Sequence, residues 1–141
     1  MADVVKQVYK LFLAGDIDAV LALLTDDIEW SEVGDPKVIP FAGTHKGKPQ
    51  VIDHKLGGIA KILVTDDLQA HTIIESPDHQ QVASFGTWKV RVLDRSGSAE
   101  QQPSIELAFA ELFTLRDGKI SKISALCDSS MLHQAVVSRG M

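Results

Sequence analysis

The chain has 141 residues, 45% of them hydrophobic and 23% charged, and its 14 Lys and Arg against 19 Asp and Glu leave a net charge of −5. This is the composition of a folding chain, not a disordered one, and with no basic block nucleic acid is excluded as a partner, because phosphate neutralisation needs clustered cations. No apolar run approaches the roughly 18 residues of a membrane span, so no membrane partner is expected.

The single cysteine, Cys127, allows no intramolecular disulfide, which suits a reducing cytoplasm, the expected location. The N-terminus has neither the basic start nor the apolar stretch of a secretory signal, so the mature protein is expected to begin at or near Met1. One domain over residues 1–141 is the expected organisation. A domain of this length buries roughly 65–70% of its unfolded surface, enough for one core and one internal cavity.

In chain order, Val4, Val5, Val8, Leu11 and Phe12 fall on one helical face, with Asp3 as N-cap and Gly15 as stop. Asp16 caps a second helix carrying Ile17, Val20, Leu21 and Leu24, ended by Thr25-Asp26-Asp27. Residues Ile28 to Val33 alternate as a short strand, and Gly34 to Gly47 read as loop, punctuated by Pro36, Pro40 and Gly43. Pro49 suits the first turn of a third helix with the apolar set Ile52, Leu56, Ile59, Ala60 and Leu63. Gly57 and Gly58 lie in its middle at about 1 kcal/mol each relative to alanine, which close packing against another backbone explains.

Beyond Val64 the period becomes two, giving strands over about 66–75, 81–94, 104–116 and 119–128. Asp117-Gly118 between the last two is a strong hairpin signal. Ser129 and Ser130 cap a short final helix with Met131, Leu132, Ala135 and Val136. Helices segregated against a curved antiparallel sheet make an α+β cone, and the space between the layers is a natural small-molecule site.

Three segments carry a family resemblance: Phe12-Leu13-Ala14-Gly15-Asp16 through Thr25-Asp26-Asp27, Phe41-Ala42-Gly43-Thr44-His45-Lys46-Gly47, and Phe113-Thr114-Leu115-Arg116-Asp117-Gly118-Lys119-Ile120 leading to Asp128. Together they resemble the nuclear-transport-factor-2-like (NTF2-like) superfamily, in its ketosteroid-isomerase and SnoaL-type polyketide-cyclase branch. The resemblance implies a cone-shaped fold of about three N-terminal helices wrapped by a curved sheet around a pocket. It also implies a homodimer and a cofactor-independent protein. Fold alone leaves the reaction open, since isomerases, cyclases, dehydratases, epoxide hydrolases and non-enzymatic binders share it.

Carried over by position, the isomerases' general base falls on Glu32, five residues after Asp27, and their protonated acid on Glu111. Their oxyanion tyrosine, seven residues before Gly15, falls on Val8, with Tyr9 one step and about 100° away; this departure speaks against steroid isomerisation. The cyclases' strand-end aspartate matches Asp128. Gly86-Thr87-Trp88 stands where the epoxide hydrolases carry an Arg-x-Asp pair, which speaks against epoxide hydrolysis.

The residues on their own allow similar chemistry. Phe109, Glu111 and Phe113 share one strand face, so Glu111 is either outside among exposed aromatics or inside an apolar pocket, where desolvation raises its pKa and favours the neutral acid. A neutral carboxyl donating to a carbonyl oxygen is an arrangement already described for ketosteroid isomerase. Glu32, on the same face as Trp30, and Asp128, at the end of the last strand, are the candidate bases. Asp128 has an alternative as cap of the final helix.

Tyr9, Trp30, Phe41 and Trp88 are core or pocket-wall residues, and His45 and His54 stand near the pocket mouth or on the surface. No histidine pair has metal-ligand spacing, so no metal or other cofactor is expected. Alternating Val90 and Val92 suit self-association through the outer sheet face. The expected ligand is a small, largely apolar compound bearing a carbonyl or hydroxyl, handled by proton transfer in an isomerisation, cyclisation or dehydration.

Overall fold

The structure, a computed structural model, describes residues 2–139. Its order is α1 (Ala2–Leu13), α2 (Ile17–Ala22), β1 (Leu24–Glu32), β2 (Gly43–Lys46), α3 (Gly47–Gln50), a π-helical segment (Val51–Leu56), α4 (Gly57–Ile62), β3 (Leu63–Glu75), β4 (Gln81–Val92), β5 (Ser104–Arg116), β6 (Lys119–Cys127) and α5 (Ser129–Ser138). The strands form one six-stranded sheet in the order β2-β1-β6-β5-β4-β3. All neighbours are antiparallel except β1 and β6, which run parallel. With the helices against its inner face, this is the α+β cone that the element order implied.

The long strands follow from alternation. Along β5, Leu107, Phe109, Phe113 and Leu115 are buried and the residues between them are not. The β5–β6 hairpin closes at Asp117 and Gly118 with φ of 53° and 79°, the left-handed pair that Asp-Gly accommodates. Asp16 caps α2 as expected, its side chain accepting from the Ala19 amide.

Several expectations need correction. Asp3 lies inside α1 and does not cap it. Helix α2 ends at Ala22, and Thr25-Asp26-Asp27 belong to β1, which is longer than the alternation over Ile28 to Val33 suggested. The stretch from Gly34 to Gly47 contains strand β2, paired with β1 from Glu29↔Lys46 to Glu32↔Gly43. Val90 and Val92 are buried in the core and are not on the outer face; the exposed apolar residues of that face are Ile74, Phe85, Leu112 and Leu126.

The third helix departs most. It is one helical run in three parts, α3, the π segment and α4, with right-handed helical angles kept at the junctions Val51 and Gly57. The wide turn shifts the buried face to Val51, Lys55, Leu56, Ile59 and Ile62, leaving Ile52 and Ala60 exposed. Gly58 packs against a neighbouring backbone, since a Cβ there would meet Phe41 N, Cα and Cβ at 3.1 Å. That contact locks the helix against the segment before β2 and fixes which residues it turns inward.

Candidate functional site

Between the helices and the inner sheet face lies a cavity of about 60 Å³, whose lining includes Val8, Tyr9, Phe12, Trp30, Glu32, Lys55, Leu68, Trp88, Glu111 and Phe113. Helix α1 reaches it because Val5, Val8, Tyr9 and Phe12 repeat at i, i+3, i+4, i+7. This stripe takes in Tyr9, whereas the Val4 and Leu11 assigned to the face are only partly buried. Tyr9 therefore points inward from the position beside the expected one. Its ring lies 5.8 Å from Phe109 and meets Phe113 edge-on at 5.9 Å.

Tyr9 OH donates to Glu111 Oε1 at 2.7 Å. Of the two placements open to Glu111, the structure has the inner one, between the two phenylalanines that flank it in sequence. Glu111 is partly buried and lines the cavity, and the protein packed around it makes desolvation dominate. Its pKa is pushed up to about 7, against the lowering effects of the Tyr9 hydrogen bond and the Lys55 charge, with Glu32 adding to the rise. Burial and the neighbouring Glu111 raise the Tyr9 phenol, so it stays a neutral donor.

Facing this pair is a buried ion pair. Lys55 Nζ donates to Glu32 Oε1 at 2.8 Å, with side chains only 3% and 6% exposed. The ammonium also lies 4.8 Å from the Phe41 ring centroid and 5.3 Å from that of Trp30, within cation–π range. Lys55 is the site residue that sequence reasoning missed. The signal was present as the spacing Val51, Lys55, Ile59, Ile62, an apolar stripe interrupted by one cation.

Asp128 stands apart. It is the N-cap of α5, accepting from the Met131 amide at 3.2 Å, and it does not line the cavity. The strand ends one residue earlier and the carboxylate turns to the orphan amides of the helix start, which is the capping alternative. Ser129 and Ser130 are inside the helix and do not cap it. Asp128→Ala is expected to lower stability by about 1 kcal/mol, as loss of a cap does, read as a shift in the urea midpoint.

The remaining predicted residues sort by distance from the cavity. Trp30 and Trp88 line it; Phe109 and Phe41 stand behind it, Phe109 against Tyr9 and Phe41 against Trp88 at 6.0 Å. His45 is buried outside it, its Nε2 bonded to the Phe41 carbonyl at 3.0 Å, and stacks on the exposed His54. Neither histidine lines the cavity. Burial pushes the Cys127 thiol up to about 12, so it is no thiolate nucleophile. Among the described residues no group of three or more His, Cys, Asp or Glu is arranged to hold a metal ion, and no helix is long and apolar enough to cross a membrane.

A cone of this topology with a cavity between sheet and helices defines the NTF2-like class. The chain belongs to the SnoaL-like domain family, whose family model matches residues 5–123. Solved structures agree on the fold. An NTF2-like protein from Burkholderia xenovorans is 23% identical, with 96% of this chain and 94% of that one covered and a TM-score of 0.76. A candidate polyketide cyclase from a Silicibacter species is 22% identical over 96% and 93%, with a TM-score of 0.77. A candidate isomerase from Rhodopseudomonas palustris is 16% identical over 94% and 91%, with a TM-score of 0.75. No curated protein matches the chain in sequence. Family and cavity together make it a small-molecule-binding protein of the SnoaL-like kind.

Proposed function

We propose that the chain is a cofactor-independent enzyme, acting as one domain, that moves a proton on a small apolar carbonyl or hydroxyl compound in an isomerisation, cyclisation or dehydration. The observation that carries this is the Tyr9–Glu111 hydrogen bond of 2.7 Å in an aromatic cavity, with Glu111 titrating at about 7. Neutral Glu111, held in place by the Tyr9 hydroxyl, donates to an oxygen that gains negative charge, and Glu32, paired with Lys55, is the base. At about 60 Å³ the cavity is smaller than the ~150 Å³ that holds benzene in an apolar protein interior. A ring-sized ligand therefore displaces part of the lining, and the partly buried Phe12 and Leu68 are the side chains to move.

The test is turnover of β,γ-unsaturated ketones and β-hydroxy ketones across pH. Glu111→Gln and Tyr9→Phe should each lower kcat by about 10²-fold or more, and wild-type activity should fall as pH rises through about 7 and Glu111 loses its proton. Turnover undiminished in both variants would falsify the reading. A second reading, a binding module without chemistry, is favoured by the commitment of Asp128 to the α5 cap, which removes the cyclase-type base. Binding without turnover of any such ketone selects it.

The same reading includes a homodimer. Phe85, Leu112, Leu126 and Ile74 are 39–56% exposed on adjoining strands in register, Phe85↔Ala110↔Leu126 and Ile74↔Ala83↔Leu112, and an apolar patch of this kind suits a sheet-to-sheet contact. Light scattering should give twice the chain mass for the wild type, and the mass of one chain for the double variant Phe85→Glu with Leu126→Glu. A wild-type monomer at 100 μM (a concentration chosen on the order of weak dimer affinities) discards it.

A further inference from the structure

Of the three buried polar atoms on β1 that have no hydrogen-bond partner among the described residues, two stand beside the cavity: Nε1 of Trp30 and Oε2 of Glu32. The residues are 6% and 8% exposed, and both line the cavity. The other buried atoms without a partner, the hydroxyls of Thr25 and Ser84, belong to residues that do not line it. An unmade buried hydrogen bond is costly, more so for a charged group, so this pair calls for an occupant. The second indole shows the contrast, since Trp88 Nε1 donates to Thr65 Oγ1 at 3.0 Å.

The orphans form a defined pair. Trp30 and Glu32 are two apart on one strand, so their side chains leave the same face, with Cα atoms about 7 Å apart. Lys55 takes Glu32 Oε1, which orients the carboxylate and leaves Oε2 as its free acceptor. One donor and one acceptor on two residues that line the same cavity match a group that accepts and donates through a single oxygen. A carbonyl satisfies the indole and leaves the carboxylate bare. An ammonium satisfies the carboxylate, leaves the indole bare and is repelled by Lys55. A hydroxyl satisfies both.

We propose that Trp30 Nε1 and Glu32 Oε2 form a hydroxyl-binding subsite and that the ligand is an aromatic hydroxyl compound. Its oxygen accepts from the indole N–H and its proton is donated to the carboxylate. The aromatic body follows from the walls, where the rings of Tyr9, Phe12, Trp88 and Phe113 favour a flat apolar ligand over an aliphatic alcohol. The inference rests on the function proposed above only in taking this cavity as the ligand site; it requires no turnover.

The probes are phenol and its non-hydroxylic isostere toluene, titrated into the full chain and followed by the two indole N–H resonances in ¹H–¹⁵N spectra. Trp30→Phe assigns those resonances. Phenol should bind at least ~10-fold more tightly than toluene and shift the Trp30 resonance well beyond that of Trp88. In Trp30→Phe the preference should fall several-fold while toluene affinity holds. Equal affinities, phenol binding with the Trp30 resonance unmoved, or no binding of either at millimolar concentration each overturn the proposal. If Trp30→Phe does not fold, Trp88→Phe assigns the two resonances and the wild-type comparison of phenol with toluene decides the matter. Phenol preference without turnover of any ketone would sink the enzymatic reading and leave this one standing, and turnover without the preference would do the reverse.

Discussion

Lys55→Met is expected to destabilise the protein by about 3–5 kcal/mol, the cost of leaving one member of a buried ion pair uncompensated. The side chains of Lys55 and Glu32 are 3% and 6% exposed and 2.8 Å apart, so no solvent is available to replace the ammonium, and Glu32 Oε2 already lacks a partner. Methionine keeps most of the stem that packs between Trp30 and Phe41 and removes the charge, which confines the effect to electrostatics and the lost cation–π contacts. For a chain of this size the loss corresponds to roughly 10–20 °C in Tm, readable by calorimetry. The double variant Lys55→Met with Glu32→Met should recover most of it, because replacing both charges of a buried pair by apolar groups is often neutral or stabilising. A single variant within 1 kcal/mol of the wild type (well below the ~3 kcal/mol expected) would mean that the pair is solvated and that Glu32 has no need of Lys55.

Much of this architecture could be read from residue pattern because local and tertiary signals agreed. The alternation of β5, the Asp-Gly turn after it and the Asp16 cap are each decided within a few residues. Glu111 was legible for the same reason: flanked by Phe109 and Phe113 on one strand face, it had to go where they went.

The misreadings arose where a distant contact decided. Lys55 was hidden because a lysine beside an apolar stripe ordinarily carries its ammonium out to solvent, and what holds it inside is the ion pair with Glu32 on β1, a partner 23 residues away. Strand β2 carries no apolar alternation of its own, and Gly43 to Lys46 becomes a strand only because β1 offers an edge. Tyr9 was one position from the expected tyrosine and was legible in the Val5, Val8, Phe12 stripe, which family alignment by count did not weigh. Asp128 carried two readings in the sequence, and the choice fell to the orphan amides that begin α5, one of which, that of Met131, its carboxylate accepts.

The stability of the wild type relative to Glu111→Gln is expected to fall by about 3 kcal/mol as pH rises from 4 to 8. The folded protein holds the Glu111 proton to about pH 7 against an ordinary value of 4.5, a difference of 7 − 4.5 = 2.5 units, at 1.36 kcal/mol per unit. Because the folded-state value is raised, the folded chain binds more protons than the unfolded one between these limits. The contribution is therefore complete below about 4.5 and lost as pH rises through 7. Glutamine carries no titrating proton, so the difference between the two proteins isolates Glu111 from every other carboxylate and histidine. Urea denaturation of both at pH 4, 6 and 8 gives the difference directly, and a flat difference would mean that the carboxyl sits in water. Tyr9→Phe supplies the internal check. Its hydroxyl stabilises the ionised form of Glu111, so removing it should move the upper edge of the window to higher pH and leave the lower edge, set by the unfolded chain, in place, whereas a tyrosine that merely fills space would leave both edges where they are.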